Sequence, residues 1–261
     1  MKKYAFVFIL TAIIIAPLFA QIESNFRVAF TDDGSGVIVR RYSGTELQVT
    51  IPAMIQYMPV KEIGQEAFRS SNITSIVIPE GVTVIRENAF ADCSALSSVT
   101  LPSTLISIEE FAFSNCASLS TIVFPNNLKL IGRNAFAESG LTSVSWTPNI
   151  NIVSTRVFYN CKSLQSVTIP EGVEIISSFA FFGCSALTSV AFPVSLLRLN
   201  EGSFNSCTSL TTVTISDSVI KILFTEQEQY YISEIRSFLG CPNMSSASQT
   251  TLRRVGYTGD F

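Results

Sequence analysis

Apolar residues fall in two patterns along this chain, and both recur. The first is a period-2 pair around a middle residue that is usually small or hydroxylated: Val49/Ile51, Ile76/Ile78, Val99/Leu101, Ile122/Phe124, Val144/Trp146, Val167/Ile169, Val190/Phe192 and Val213/Ile215. Alternation rich in β-branched residues predicts a short strand with one buried face. Proline closes these segments at 52, 79, 102, 125, 148, 170 and 193, seven of the ten in the chain. Proline has no N–H to give a ladder, so it marks where each strand stops. The second pattern is a wider pair in the stretch that follows, as in Leu105/Ile108, Leu128/Ile131, Val173/Ile176 and Leu196/Leu199. That stretch is read as a loop.

An Ala-Phe pair comes next, and it sets the rhythm. Phenylalanine stands at 68, 90, 113, 136, 158, 181 and 204, in steps of 22 or 23 residues. A period of that size means one small unit stacked on copies of itself, each covering the apolar side of the last. The fold class predicted is an α/β solenoid of about eight coils, with the eight strands stacked in parallel as one sheet. The Ala-Phe segments are expected as turns or short 3₁₀-like helical turns that point the phenylalanines into the core.

Cys93, Cys116, Cys161, Cys184, Cys207 and Cys241 share one position, three residues before the apolar residue that leads into a strand. An even count in an exported chain invites disulfides. Disulfide frameworks join different positions, however, whereas these are one position repeated, so reduced, buried thiols are expected. A thiol there packs as a small hydrophobe and donates weakly to a turn carbonyl. Adjacent coils leave a bridge within geometric range. A linear column offers no tetrahedral metal cluster.

The complete phrase reads Ala89-Phe90-x-x-Cys93-x-x-Leu96-x-x-Val99-x-Leu101-Pro102, and it returns at Ala112-Phe113, Cys116, Leu119, Ile122, Phe124 and Pro125. It resembles the repeat of the bacterial leucine-rich repeat proteins of the BspA-like and Treponema pallidum type. The resemblance covers about residues 37 to 222. It implies a right-handed superhelix with short parallel strands on the concave face and turns on the convex face. It also implies export to or beyond the cell envelope, and adhesion to or binding of host proteins and other cells.

The ends differ from the repeats. Met1-Lys2-Lys3 followed by an apolar run to Ala20 has the layout of a secretory signal peptide, residues 1–20. Residues 21–45 are expected to form a capping hairpin around Asp32-Asp33-Gly34-Ser35-Gly36, and 46–245 the solenoid. Residues 246–261 form the C-terminal cap, with a short helix over Ser248 to Val255 and Ser248 as its N-cap. The expected location is the cell surface or the medium, with the periplasm as the alternative. No further segment after Gln21 is long and apolar enough to span a bilayer.

Composition narrows the chemistry. The net charge is −3 with no long basic or acidic block, which points away from nucleic acid. There is no histidine, so histidine-activated nucleophiles and histidine metal sites are excluded. No Gly-x-Ser-x-Gly elbow or phosphate-binding glycine loop occurs, and no cofactor is expected. The carboxylates Glu109/Glu110, Glu171/Glu174 and Asp217 fall on expected loops without a pocket. The chain reads as a binding protein, not an enzyme. A structural envelope protein is the alternative.

Two regions could carry binding. The strand residues that point outward are Ser98, Thr100, Thr121, Val123, Ser143, Ser145, Ser166, Thr168, Ser189, Ala191, Thr212 and Thr214, with Ser75 and Val77 before them. They make a nearly uncharged, hydroxyl-rich stripe, suited to broad contact with a protein without desolvating charges. Extracellular-matrix or other-cell surface proteins are the partners considered. The second region is an insertion near 223–234, where the step from Phe204 to Phe238 is 34 residues. Insertions in repeat proteins map to loops on one face, and Tyr230 and Tyr231 are amphipathic anchors of the kind interfaces use.

Overall fold

The computed structural model describes residues 24–146, 149–218, 222–225 and 236–261. Over them the chain winds as a parallel-strand β-solenoid of about eight turns with little helix. The segments 1–20 and most of 223–234, including Tyr230 and Tyr231, lie outside the described residues.

Each coil has three sides, and each side bonds to the next coil in its own way. The first side carries the predicted strands. Gln48–Thr50, Ser75–Val77 and Ser98–Thr100 form one parallel sheet, and Ser166–Thr168, Ser189–Phe192 and Thr212–Ile215 form another. Between them only the isolated bridges Val123↔Ser145 and Ser143↔Ser166 occur among the described residues. The single eight-stranded sheet expected from the repeat is therefore interrupted.

The second side corrects the loop expected after each proline. Met58–Ile63, Val84–Ile85, Ser107–Ile108 and Leu130–Ile131 pair in parallel, as do Ile152–Val153, Ile175–Ile176, Arg198–Asn200 and Leu223–Thr225. These strands are mostly two residues long, too short to show alternation. Their three-residue apolar spacing hides a strand that exists only because identical coils lie on both sides of it.

The third side holds the Ala-Phe segments, which are turns throughout and not helix. Alternate amides point two ways. Ala89 N–H bonds back to Arg86 O at 3.2 Å, while Phe90 N–H crosses to Ala112 O of the next coil at 2.8 Å. The left-handed residues come in pairs four apart, such as Asn88/Asp92, Phe111/Asn115 and Arg156/Asn160, with φ of 54 to 62°. A right-handed helix cannot absorb a left-handed residue every fourth position, so turns replace the helical turn. Asn and Asp recur there because a short polar side chain tolerates that conformation best.

The core is a column of rings. Phe68, Phe90, Phe113, Phe136, Phe158, Phe181, Phe204 and Phe238 stack with centroids 4.9 to 5.9 Å apart. All are buried. Tyrosine ends the column on both sides. Tyr42 stacks on Phe68 at 5.2 Å, and Tyr257 meets Phe238 edge-on at 5.3 Å. Their hydroxyls donate to Glu46 and to Asp260 O, so each end ring presents a polar tip where the repeat runs out.

Beside the rings runs the cysteine column. All six thiols are free and buried. Each donates to the phenylalanine carbonyl of an earlier coil, Cys93 to Phe68, Cys116 to Phe90 and so on to Cys241, at 3.0 to 3.3 Å. Where a coil has serine instead, Ser71 and Ser139 sit against Cys93 and Cys161 of the next coil at 3.4 and 3.3 Å. Burial raises the thiols, Cys161 and Cys241 to about 12. A thiol so protonated is neither a nucleophile nor a metal ligand.

At the N-terminal end Phe26–Phe30 and Val37–Tyr42 pair antiparallel, setting Phe26 and Tyr42 against Phe68. At the other end the helix is Ser246–Arg254, starting two residues before the expected Ser248, and its N-cap is Ser245 instead of Ser248. Ser248 lies inside it, and its hydroxyl accepts Val213 N–H at 3.0 Å. The helix thus satisfies an amide of Thr212–Ile215, which among the described residues is the last strand of that sheet.

Candidate binding face

Register brings the outward strand residues into two columns. Ser75 faces Ser98, Ser143 faces Ser166, and Ser166, Ser189 and Thr212 continue the line. Beside it run Val77 and Thr100, then Val123 and Ser145, then Thr168, Ala191 and Thr214. Ser98, Thr100, Thr121, Val123, Ser143, Ser145, Ser166, Thr168, Thr212 and Thr214 are exposed, and Ser189 and Ala191 are half-buried. Val123 is 74 % exposed, against 40 % for Val77. Ser98/Thr100 and Thr121/Val123 are not paired, so the columns are interrupted there.

One residue earlier, in five of the coils, lies a third set of hydroxyls, which the sequence does not set apart. Thr74, Ser97, Thr142, Thr188 and Thr211 each donate to a backbone carbonyl of the preceding coil at 3.0 to 3.1 Å. These hydroxyls are occupied in holding coils together. The outward columns behave otherwise. Among the described residues their hydroxyls form no side-chain hydrogen bond, apart from Thr212 with Thr211 at 3.3 Å. Donors and acceptors on an exposed sheet face are thus left open to a partner, in two rows about 4.8 Å apart from coil to coil.

Three of the carboxylates set aside on sequence grounds, Glu109, Glu171 and Asp217, have partners within the chain. Glu171 accepts Val194 N–H at 3.3 Å, as Glu80 accepts Ser103 N–H at 2.8 Å. Glu109 accepts Glu87 N–H at 3.2 Å and lies 3.7 Å from Arg86. Asp217 pairs with Arg254 at 3.6 Å. No group of three or more His, Cys, Asp or Glu side chains that could hold a metal occurs among the described residues. No helix among them is long and apolar enough to cross a membrane.

Comparison with known proteins agrees with this architecture. The model for the BspA type leucine rich repeat region matches residues 61–163 and 151–253. A leucine-rich repeat protein of T. pallidum has a similar structure, with TM-score 0.66 and 30% identity over 91% of this chain and 96% of that one. A leucine-rich repeat protein of Bacteroides ovatus shares the fold, with TM-score 0.58 and 24% identity over 84% of this chain and 68% of that one. No curated protein matches the chain.

Proposed function

The chain belongs to the BspA-type leucine-rich repeat family, and on that premise we propose that it is a binding protein, without catalytic activity, whose contact surface is the outward stripe of the first strand side. The observation that carries this reading is the contrast between adjacent hydroxyl columns, one spent on the neighbouring coil and the other unspent. A face with almost no charge to desolvate, open hydroxyls and single apolar residues such as Val77 and Val123 suits extended contact with another protein. The partner is a protein of the extracellular matrix or of another cell's surface, and the chain acts at the cell surface or after secretion. The insertion with Tyr230 and Tyr231 is a second contact in this proposal, resting on sequence alone.

The test is the triple variant T100K/T168K/T214K, measured against immobilised extracellular-matrix proteins. Binding is lost while the thermal midpoint moves by no more than a few degrees, because all three side chains are exposed. Unchanged binding would exclude the stripe. Surface labelling of intact cells tests the location, and protection from it favours the periplasmic alternative.

A further inference from the structure

On the turn side the coils differ in what they show to solvent. At the left-handed position successive coils carry Phe111, Asn134, Arg156, Phe179 and Gly202. Three residues further on they carry Ser114, Ala137, Tyr159, Phe182 and Asn205. The coil with Asn134 and Ala137 is low between taller neighbours, and a cleft opens over it. Phe111 forms one wall and Arg156 with Tyr159 the other, and Asp92, Asn115 and Glu138 also line it. The walls are two coil steps apart, about 10 Å, which admits one six-membered ring.

Arg156 is held in an unusual way. Its Cζ lies 5.2 Å from the ring centroid of Phe179 and 5.7 Å from that of Tyr159. Both rings are fixed in turn. Tyr159 stacks on Phe182 at 5.0 Å and 7°. Phe179 lies over Gly202, where a Cβ would come within 2.5 Å of its ring carbons. The guanidinium plane is thereby set by aromatic contact.

Arg69 and Arg86 find carboxylates within this chain, at 2.7 and 2.6 Å. The side chain of Arg156 has no ion pair or hydrogen bond among the described residues, and its Nε is buried without a partner. A partly desolvated cation with no anion is unfavourable, and two outer nitrogens remain as its open edge.

We infer that this cleft binds a carboxylate-bearing sugar of the uronic or sialic acid kind. The carboxylate accepts both terminal N–H groups of Arg156, and a C–H face of the ring lies against the negative face of an aromatic wall. Glu138 and Asp92 at the same cleft disfavour a polyanion. Asp92 is already engaged by Arg69 and Asn115. A single carboxylate on an otherwise neutral ring fits this balance. The site lies on a different side of the coil from the hydroxyl stripe and does not depend on it.

Calorimetric titration of the purified protein with glucuronate, glucose, acetate and N-acetylaspartate amide tests the assignment. Glucuronate binds at least about tenfold more tightly than any of the other three. R156Q loses that binding and keeps the circular dichroism spectrum and thermal midpoint of the parent, while R156K, with charge but no planar fork, retains a weakened fraction. Equal binding of glucuronate and glucose, or binding indifferent to R156Q, overturns the inference. Binding of the aspartate amide as tight as that of glucuronate overturns the sugar and points to a peptide carboxylate.

Discussion

The turn side and the two strand sides of the solenoid are built from the same repeat, yet they meet its irregularities differently. On the turn side the inter-coil ladder runs unbroken from Glu66 N–H to Leu239 O, including Phe136 N–H to Val157 O across the middle of the stack. On the strand sides both ladders fail at that same place. Thr121 to Ser145 is bridged only at isolated points, and Leu130–Ile131 does not pair with Ile152–Val153. The inward residues there are Phe124 and Trp146 in succession, against Phe136 and Phe158 at 5.5 and 5.6 Å. Two consecutive aromatics wedge the coils apart, and the Phe136–Phe158 spacing of 5.9 Å is the widest between phenylalanines of the stack. The turn side is the spine. The strand sides tolerate a gap because side chains take over, with Ser154 Oγ donating to Ile131 O and Asn149 Nδ2 to Asn126 O.

If that is right, damage to the spine should exceed damage to a strand side. Phe136→Ala removes a ring stacked on both neighbours and is expected to cost about 3–5 kcal/mol, read from the shift in urea midpoint. A loss below about 1 kcal/mol would falsify the spine. Alkaline pH probes the same side through its thiols. In the unfolded chain they ionise near their ordinary 9.0, whereas burial holds Cys161 protonated to about 12. The unfolded state therefore binds fewer protons in that interval, and stability, intact below pH 9.0, falls as pH rises toward about 12. Urea midpoints across that range check the sign, and a rising midpoint contradicts buried thiols. Denatured, unreduced protein should likewise titrate close to the six thiols present, and two or fewer would mean disulfides.

Ser154→Ala tests the substitute bond at the gap and should cost about 0.5–1.5 kcal/mol. No change there means that the gap needs no bridge. The smallest expected effects compare neighbours one residue apart. Thr188→Val loses a hydroxyl bonded to Gln165 O and should destabilise by about 1 kcal/mol, while Ser189→Ala should stay within about 0.5 kcal/mol. Equal effects would erase the distinction between occupied and open hydroxyls on which the proposed contact face rests.

Much of this was legible along the chain, for a physical reason. A side chain buried in every coil leaves the same mark every 22 or 23 residues, so Phe90, Cys93, Leu96 and Pro102 reveal a solenoid, its core and its first strands without coordinates. The outward stripe follows from the period-2 pattern, and Ser98, Thr100, Ser166 and Thr168 are indeed exposed. Three things needed the third dimension. The second strand side has no alternation to read, because two residues suffice once identical coils flank them. Thr188 and Ser189 are the same chemistry in adjacent positions, and only the carbonyl of Gln165 tells one from the other. Arg156 is an ordinary arginine in sequence, and its isolation arises where Tyr159 and Phe179, from consecutive coils, close on it. Sequence alone determined what repeats, since burial imposes the same residue type at the same step. Tertiary structure decided which groups remain unpaired, since that depends on what the next coil places opposite them.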